Sequence, residues 1–250
     1  GGTGKVEKRI KIIRNESIGN YSWDTSASYI NLGYGVNEWN QADLMTLLNS
    51  GSYYNRMTGT CYNDSGNATT SCNFSTSGLT SEAKEMIGNV KWYLGAGVDA
   101  YTLFNAADFY GHERGINLGK QCTQDEVYCS DTVTRKTYWI GQVGLIYPSD
   151  YGYSANMNSC STISLNSYNE SCKDTSWLFK GVNQWTLTPR PYPSYNYANL
   201  VFYVYSSGIL GDYYAYASDA RGVFPVVYLL NNIRFIDGLG TAQQPFIISK

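Results

Sequence analysis

Six cysteines are the residues of this chain with the clearest capacity for covalent chemistry. They form three couples that are close in sequence and lie in polar stretches: Cys61 and Cys72, Cys122 and Cys129, and Cys160 and Cys172. An even number of cysteines in such couples predicts disulfides, and therefore an oxidising compartment outside the cell. Proximity alone supports pairing within each couple. Reduced cysteines in a cytosolic protein are the alternative.

The histidine content limits metal and nucleophilic chemistry. His112 is the only histidine, so a site built from several histidines is excluded, and the cysteine spacings are longer than those of zinc ligands. Glu113 and Arg114 follow His112, but no G-x-S-x-G motif marks a serine nucleophile for it. We therefore expect a structural or exposed histidine, no catalytic residue, no resident metal and no cofactor.

Two further features leave alternatives open. Asp125, Glu126 and Asp131 surround Cys129, where they predict either a solvated loop or a calcium site. A pair of carboxylates for glycoside hydrolysis depends on spatial separation, so a carbohydrate-active enzyme is a further alternative. The opening GGTGK lacks the full spacing of a phosphate-binding loop.

The composition favours a folded protein that does not bind nucleic acid. Charged residues make up 15% of the 250-residue chain and the formal net charge is -2, with no basic run to neutralise phosphates. Aromatic residues also make up 15%, which disordered chains do not reach. The length and the absence of a clear linker favour one domain over residues 1–250.

The last third of the chain is rich in tyrosine, serine, glycine and asparagine. Tyrosine offers a large contact area with few rotatable bonds and a hydroxyl group, and the small residues add adaptable polar contacts. Arginine is frequent at binding hot spots. We therefore predict a ligand-binding surface that contains Arg190, Tyr192, Tyr195, Tyr197, Tyr203, Tyr205, Tyr213, Tyr214, Tyr216, Asp219 and Arg221.

Two early helices are predicted from hydrophobic spacing and capping residues. Residues 37–48 place their apolar side chains at helical intervals, and Asn37 is a candidate N-cap. Residues 80–87 have Thr80 or Ser81 as a candidate cap, with Glu82 in the first turn.

Short strands and long loops are predicted for the rest of the chain. Residues 5–14 favour an early strand, and residues 200–205, 223–230 and 246–248 favour late ones. Residues 91–94 and 143–147 favour short buried segments. The fold class is therefore α+β, with two helices, short antiparallel strands and long loops.

Alternation along these strands predicts which side chains face the core. Phe202 and Val204 are expected to point inward, opposite Val201, Tyr203 and Tyr205. Tyr214 and Tyr216 should share one face, and Tyr213 the other. Tyr228 is expected in the core, and Trp177 and Trp185 are expected as packing anchors.

Several motifs occur in order along residues 92–249, and the resemblance they support covers about residues 10–249. They are WYLG at 92–95, ERG at 113–115, GLIYPSDYGYS at 144–154, WLF at 177–179, QWTLTP at 184–189, GVFPVVYL at 222–229 and a final GLGT…PFIIS. The set resembles secreted or prepilin-linked bacterial surface proteins with a C-type-lectin-like domain, the variant shared with formylglycine-generating enzymes and with variable proteins of diversity-generating retroelements.

The resemblance implies a C-type-lectin-like fold whose last third presents an irregular, strand-supported binding surface. Such proteins carry an arginine between the hydrophobic residue and the proline of the late motif, whereas here Arg221 precedes Gly222. The relatives with formylglycine-generating activity need late cysteines, and no cysteine follows Cys172 in this chain.

The late sequence also has the composition expected of a diversified region. Mutation of the adenines in an asparagine codon reaches Tyr, Ser, Asp and Gly but not Lys, Glu, Gln, Met or Trp. These five types number 35 in the chain, so residues 186–242 should hold about eight, and they hold none. A β-rich segment that favours Tyr, Ser and Gly would show the same bias.

The sequence therefore predicts a secreted or surface-displayed protein of the adhesin or receptor type that is not an enzyme. Its partner would be a protein or glycan on another cell or on a phage. No run of 18 apolar residues is present. We expect residues 1–9 to be a leader or linker remnant, with membrane or pilus attachment only through a preceding segment. A structural pilus or cell-surface subunit without a selective ligand is the main alternative.

Overall fold

The structure is a computed structural model that describes residues 7–25, 35–63, 69–95, 103–114, 128–130, 134–168, 170–190, 199–216, 221–241 and 243–250. Its helices are α1 (Asp43–Asn49), α2 (Ser81–Met86), α3 (Ala106–Glu113), α4 (Pro148–Tyr153), α5 (Met157–Cys160) and α6 (Glu170–Lys173). Its strands are β1 (Lys11–Ile13), β2 (Asn20–Tyr21), β3 (Thr58–Tyr62), β4 (Thr69–Asn73), β5 (Val90–Tyr93), β6 (Tyr128–Ser130), β7 (Thr134–Lys136), β8 (Tyr138–Gly141), β9 (Val143–Gly144), β10 (Gln184–Arg190), β11 (Leu200–Val204), β12 (Leu210–Tyr214), β13 (Arg221–Gly222), β14 (Val226–Tyr228), β15 (Arg234–Asp237) and β16 (Ile247–Ser249).

The strands form several small sheets rather than one large sheet. The largest has the order β12-β11-β10-β13-β2, and a second has the order β1-β14-β9. The pairs β3-β4, β5-β8, β6-β7 and β15-β16 form two-stranded sheets. Only the β10–β13 pair is parallel among the described strands. The predicted α+β class with short antiparallel strands is confirmed.

The first two helices form where they were predicted, with one difference in capping. Thr80 caps α2, since its side chain accepts a hydrogen bond from the Ala83 N–H at 3.1 Å. The earlier helix begins later than predicted, at Asp43, after a 3-10 turn at Trp39–Gln41. Asn37 is not its N-cap. Its side-chain amide instead donates to the carbonyls of Arg190 and Leu200, which lie on neighbouring strands.

The prediction of only two helices is wrong, because α3 to α6 are also present. Asn105 and Asp108 form a capping box at the start of α3. Pro148 occupies the first turn of α4, and the Asp150 side chain accepts from the Tyr147 N–H at 2.8 Å. These capping signals were visible in the sequence. Their helices are too short to show an apolar period, so the hydrophobic pattern did not reveal them.

Tryptophans connect the elements inside a single hydrophobic cluster. Trp23, Trp39, Trp92 and Trp185 are fully buried, and the Trp23 and Trp39 rings lie 5.3 Å apart. Buried indoles need an acceptor for their N–H group. Trp92 donates to the Gly141 carbonyl at 3.0 Å, and Trp185 donates to the Tyr21 carbonyl at 2.8 Å. These bonds fix each ring relative to a strand that is distant in sequence.

Three aromatic residues test the predicted core. Trp185 is a packing anchor, as predicted. Trp177 is 66% exposed, so its predicted role as an anchor is wrong. Tyr228, which was predicted in the core, is half-buried. It packs against the hydrophobic cluster from outside, although its strand β14 pairs on both sides.

Two of the three predicted disulfides are present among the described residues. Cys61 bonds Cys72, and Cys160 bonds Cys172, with all four side chains buried. Cys122 and the side chain of Cys129 lie outside the described residues, as do Asp125, Glu126 and Asp131. The two disulfides point to an oxidising, extracellular environment. None of the helices in the described ranges is long and apolar enough to cross a membrane.

Removal of the Cys160–Cys172 disulfide should destabilise the fold. The bond closes a loop with a sequence separation of 12 around α5 and α6, so its loss restores chain entropy to the unfolded state. We expect the Cys160→Ala/Cys172→Ala variant to lose about 3 kcal/mol of unfolding free energy in urea denaturation. The Cys61→Ala/Cys72→Ala variant is the matched comparison, because its loop is of similar length. An unchanged unfolding midpoint in both variants would contradict this prediction.

Candidate functional site

The described part of the predicted binding surface lies on β10, β11, β12 and β13 and on residues that closely follow β11 and β12. It contains Arg190, Tyr203, Tyr205, Tyr213, Tyr214, Tyr216 and Arg221. Tyr192, Tyr195, Tyr197 and Asp219 lie outside the described residues. The structure therefore brings together seven of the predicted residues, from four strands that are separated by up to 31 positions.

A tight hairpin positions most of these side chains. β11 and β12 pair antiparallel, with Val201 opposite Tyr213 and Tyr203 opposite Gly211. Gly208 closes the turn at a φ of +95°, a conformation that residues with a Cβ atom rarely adopt. The Tyr151 hydroxyl in α4 donates to the Gly208 carbonyl at 2.6 Å, so the core holds the turn.

Five tyrosines, here called the tyrosine row, form a continuous chain of ring contacts. The row consists of Tyr203, Tyr205, Tyr213, Tyr214 and Tyr216. The Tyr203 ring lies 4.2 Å from that of Tyr205 and 6.5 Å from that of Tyr213. The Tyr214 ring lies 5.4 Å from Tyr213 and 5.9 Å from Tyr216. Tyr213 and Tyr214 belong to β12, which is the edge strand of its sheet, and Tyr216 follows that strand.

Arg221 packs against two neighbouring rings of the tyrosine row, those of Tyr203 and Tyr213. Its guanidinium carbon is 4.0 Å from the Tyr203 ring centroid, 4.5 Å from that of Tyr213 and 4.8 Å from that of Trp185. Arg221 also donates a hydrogen bond to the Tyr203 hydroxyl. Burial and a hydrogen bond to Tyr205 raise the pKa of Tyr203, and Arg221 lowers it in part.

The row divides into one supporting and four accessible tyrosines. Tyr203 and Arg221 are each 2% exposed, whereas Tyr205, Tyr213, Tyr214 and Tyr216 are half-buried. The prediction that one face of β11 is exposed is wrong for both Val201 and Tyr203. The reason is that both faces of β11 are covered, since Phe202 packs on Phe109 of α3 and Tyr203 packs on Trp185 and Arg221.

An ion pair that the sequence did not reveal lies on the same strands. Arg190 at the end of β10 donates to Asp212 in β12 at 2.9 Å, and both side chains are largely buried. Asp212 was not among the predicted residues, because the pairing of β10 and of β12 with β11, and not local sequence, brings it within reach of Arg190 across β11. The pair ties the end of β10 to the strand that carries Tyr213 and Tyr214.

Gly211 gives Tyr205 its place in the row. A Cβ atom at position 211 would clash with the Tyr205 ring, which lies across the backbone of this residue. Glycine therefore allows a close approach between a ring and a strand. The sequence shows that Gly211 is a glycine within a strand. It does not show the contact with Tyr205, because that ring comes from the other side of the hairpin.

The residues considered for catalysis have structural partners. The His112 ring stacks on Phe104 at 4.6 Å, and burial lowers its pKa. Glu113 accepts from the Ser149 N–H at 2.9 Å, from the Ser149 hydroxyl and from Arg114 at 2.8 Å. Glu113 of α3 thus caps the N-terminus of α4.

Comparison with protein-family models, with curated protein sequences and with solved structures gives no match for this chain. Within the described ranges, no group of three or more histidine, cysteine, aspartate or glutamate side chains is arranged to hold a metal ion.

Substitution of Arg221 by lysine should loosen the row. Lysine keeps the charge but loses the planar group that stacks on aromatic rings and the fork of N–H donors. We expect Arg221→Lys to lose about 2 kcal/mol of unfolding free energy and to weaken the near-ultraviolet circular dichroism of the tyrosines. Arg234→Lys, at an exposed position, is the control. Equal stability of the two variants would rule out the supporting role.

Glu113 should make the stability depend on pH. Burial raises its pKa from 4.5 to about 7, although Arg114 and Ser149 lower it in part. A folded-state pKa above the unfolded value means that the folded state binds the proton more tightly. The stabilisation is present in full below pH 4.5 and is lost as the pH rises through 7.

The expected loss over this interval is on the order of 3 kcal/mol, and it should be absent in Glu113→Gln. Urea denaturation at several pH values measures it, with Glu170→Gln at an exposed position as the control. A wild-type profile parallel to that of Glu113→Gln would contradict the assignment.

Proposed function

We propose that this chain is a secreted or surface-displayed binding protein of the adhesin or receptor type, without enzymatic activity. Its partner is a protein or glycan on another cell or on a phage. The observation that carries the proposal is the tyrosine row, whose accessible rings lie on an edge hairpin above a buried arginine. The two disulfides support an extracellular location.

Preorganisation is the physical reason why this surface suits binding. Each accessible tyrosine already packs against a neighbouring ring, so it loses less rotational freedom when a partner arrives. Each ring still offers apolar area and a hydroxyl group to that partner. The Arg190–Asp212 pair holds the strands without adding net charge, which favours a partner that is recognised by shape and hydrogen bonds.

We further propose that the fold is C-type-lectin-like and that residues 186–242 are a diversified region. Mixed helices and short antiparallel strands are compatible with such a fold. The four accessible tyrosines all lie in the window with the adenine-type composition, and Trp185, on which Arg221 packs, lies just before it.

Loss of the accessible rings should abolish selective binding. We expect the purified wild-type chain to bind a subset of intact bacterial cells, or of the glycans and proteins on an array. The Tyr214→Ser/Tyr216→Ser variant should bind the same targets at least about tenfold more weakly, because two preorganised contacts are removed. Tyr54→Ser, at a half-buried tyrosine outside the row, should bind normally. Selective binding that survives the double substitution would refute the role of the row.

A structural subunit is the second candidate, and an apolar hairpin supports it. All four residues of β15 are exposed, including Phe235 and Ile236. Leu239, Phe246 and Ile247 add further exposed apolar surface. A two-stranded sheet with this much exposed apolar surface is marginally stable alone, so it favours packing against another copy of the chain.

This candidate predicts self-association through the hairpin. In sedimentation velocity, the wild-type chain should form dimers or larger species at high concentration. Ile236→Ser/Leu239→Ser should then be monomeric, because the apolar contact area is lost. Val182→Ser, at another exposed apolar position, is the control. A wild-type chain that stays monomeric would count against the structural candidate and leave the binding proposal in place.

A further inference from the structure

A cavity of about 230 Å³ opens on the three-stranded sheet β1-β14-β9, which does not carry the tyrosine row. Lys11, Ile13 and Val226 contribute its sheet side, and α4 contributes Asp150 and Tyr153. Ile146, Ser154, Trp177 and Leu178 complete the described lining. A cavity of roughly 150 Å³ can hold one benzene ring, so this volume has room for a single six-membered ring.

Strand register explains why one side of this cavity is continuous. Ile13 pairs with Val226, and Lys11 pairs with Tyr228. Residues two apart on a strand share a face, so Lys11, Ile13 and Val226 point to the same side. The cavity therefore has an apolar floor with a cationic group at one end.

An exposed indole stands at the cavity. Trp177 is 66% exposed, whereas Trp23, Trp39, Trp92 and Trp185 are at most 1% exposed and Trp139 is half-buried. Tyr153, at 44% exposure, is a second aromatic wall. The packing of the core does not require Trp177 to be exposed. Its exposure leaves a large apolar ring in water unless a ligand covers the ring.

The charges of the described lining residues balance each other. Lys11 and Asp150 form an ion pair, and the Lys11 ammonium also lies 4.7 Å from the Tyr147 ring. The Asp150 Oδ2 atom accepts both from Lys11 and from the Tyr147 N–H. The Oδ1 atom has no hydrogen bond to the described part of the chain. A charged ligand would have to break the ion pair, while a neutral ligand with hydroxyl groups would not.

We infer that this cavity binds a neutral pyranose. One face of such a ring is lined with C–H groups and packs on an indole, and its hydroxyl groups donate to a carboxylate and accept from an ammonium or a phenol. Trp177 and Tyr153 supply the aromatic surfaces, and Asp150 and Lys11 supply the polar atoms. The site shares no residue with the tyrosine row, so each can fail without the other.

Three probes test the inference: methyl β-D-galactopyranoside, methyl β-D-glucopyranoside and methyl N-acetyl-β-D-glucosaminide. Saturation-transfer NMR and tryptophan fluorescence follow their binding to the whole chain. We expect at least one to bind saturably and to change the emission of an exposed tryptophan. Trp177→Ala should weaken that binding at least about tenfold, and Phe235→Ala, at an exposed aromatic outside the cavity, should not.

Three results would overturn the inference. They are no saturable binding of any pyranoside, binding that Trp177→Ala leaves unchanged, and binding of benzyl alcohol in preference to all three sugars, which would indicate a merely apolar cavity. If Trp177→Ala does not fold, Tyr153→Ala serves in its place, with the same expected loss. Tyr214→Ser/Tyr216→Ser should leave pyranoside binding unchanged.

Discussion

The guanidinium of Arg221 lies within 5 Å of three aromatic ring centroids, and the arrangement of the tyrosine row depends on this contact. Arg221 belongs to β13, which is only two residues long and joins β10 to β2. Trp185 below it is hydrogen-bonded to Tyr21, and Tyr203 beside it continues into the tyrosine row. A buried cation needs compensation, and here aromatic faces and a phenol oxygen provide it.

This contact separates the requirements of folding from those of recognition. Trp185, Tyr203 and Arg221 are buried and pack on one another, so changes at the accessible rings need not disturb the core. The accessible tyrosines are half-buried on an edge hairpin that Gly208 and Tyr151 hold in place. A surface built in this way can change its side chains while its support stays constant. That is the property that a diversified binding protein needs.

The sequence was informative where the determinants are local. Disulfide pairing followed from proximity for Cys61–Cys72 and Cys160–Cys172, and the Thr80 cap followed from residue type. Long-range pairing was not accessible from the sequence. Alternation predicted an exposed face for β11, but Phe109 of α3 packs on Phe202, and Trp185 and Arg221 pack on Tyr203, so both faces are covered. The Arg190–Asp212 pair and the exposure of Trp177 likewise depend on which strands and helices meet, and a one-dimensional pattern does not contain that information.

Sequencing the encoding locus in many related isolates shows which codons vary, and so whether the tyrosine row is a diversified surface. We expect the codons of Tyr205, Tyr213, Tyr214 and Tyr216 to vary mainly at adenine positions, and those of Trp185, Tyr203 and Arg221 to stay constant. We also expect a near-copy of the stretch for residues 186–242 beside a reverse transcriptase gene. Constant codons throughout the tyrosine row, without such a copy, would contradict a diversified surface. Variation that is equal at the buried and the accessible positions would contradict the division between support and contact.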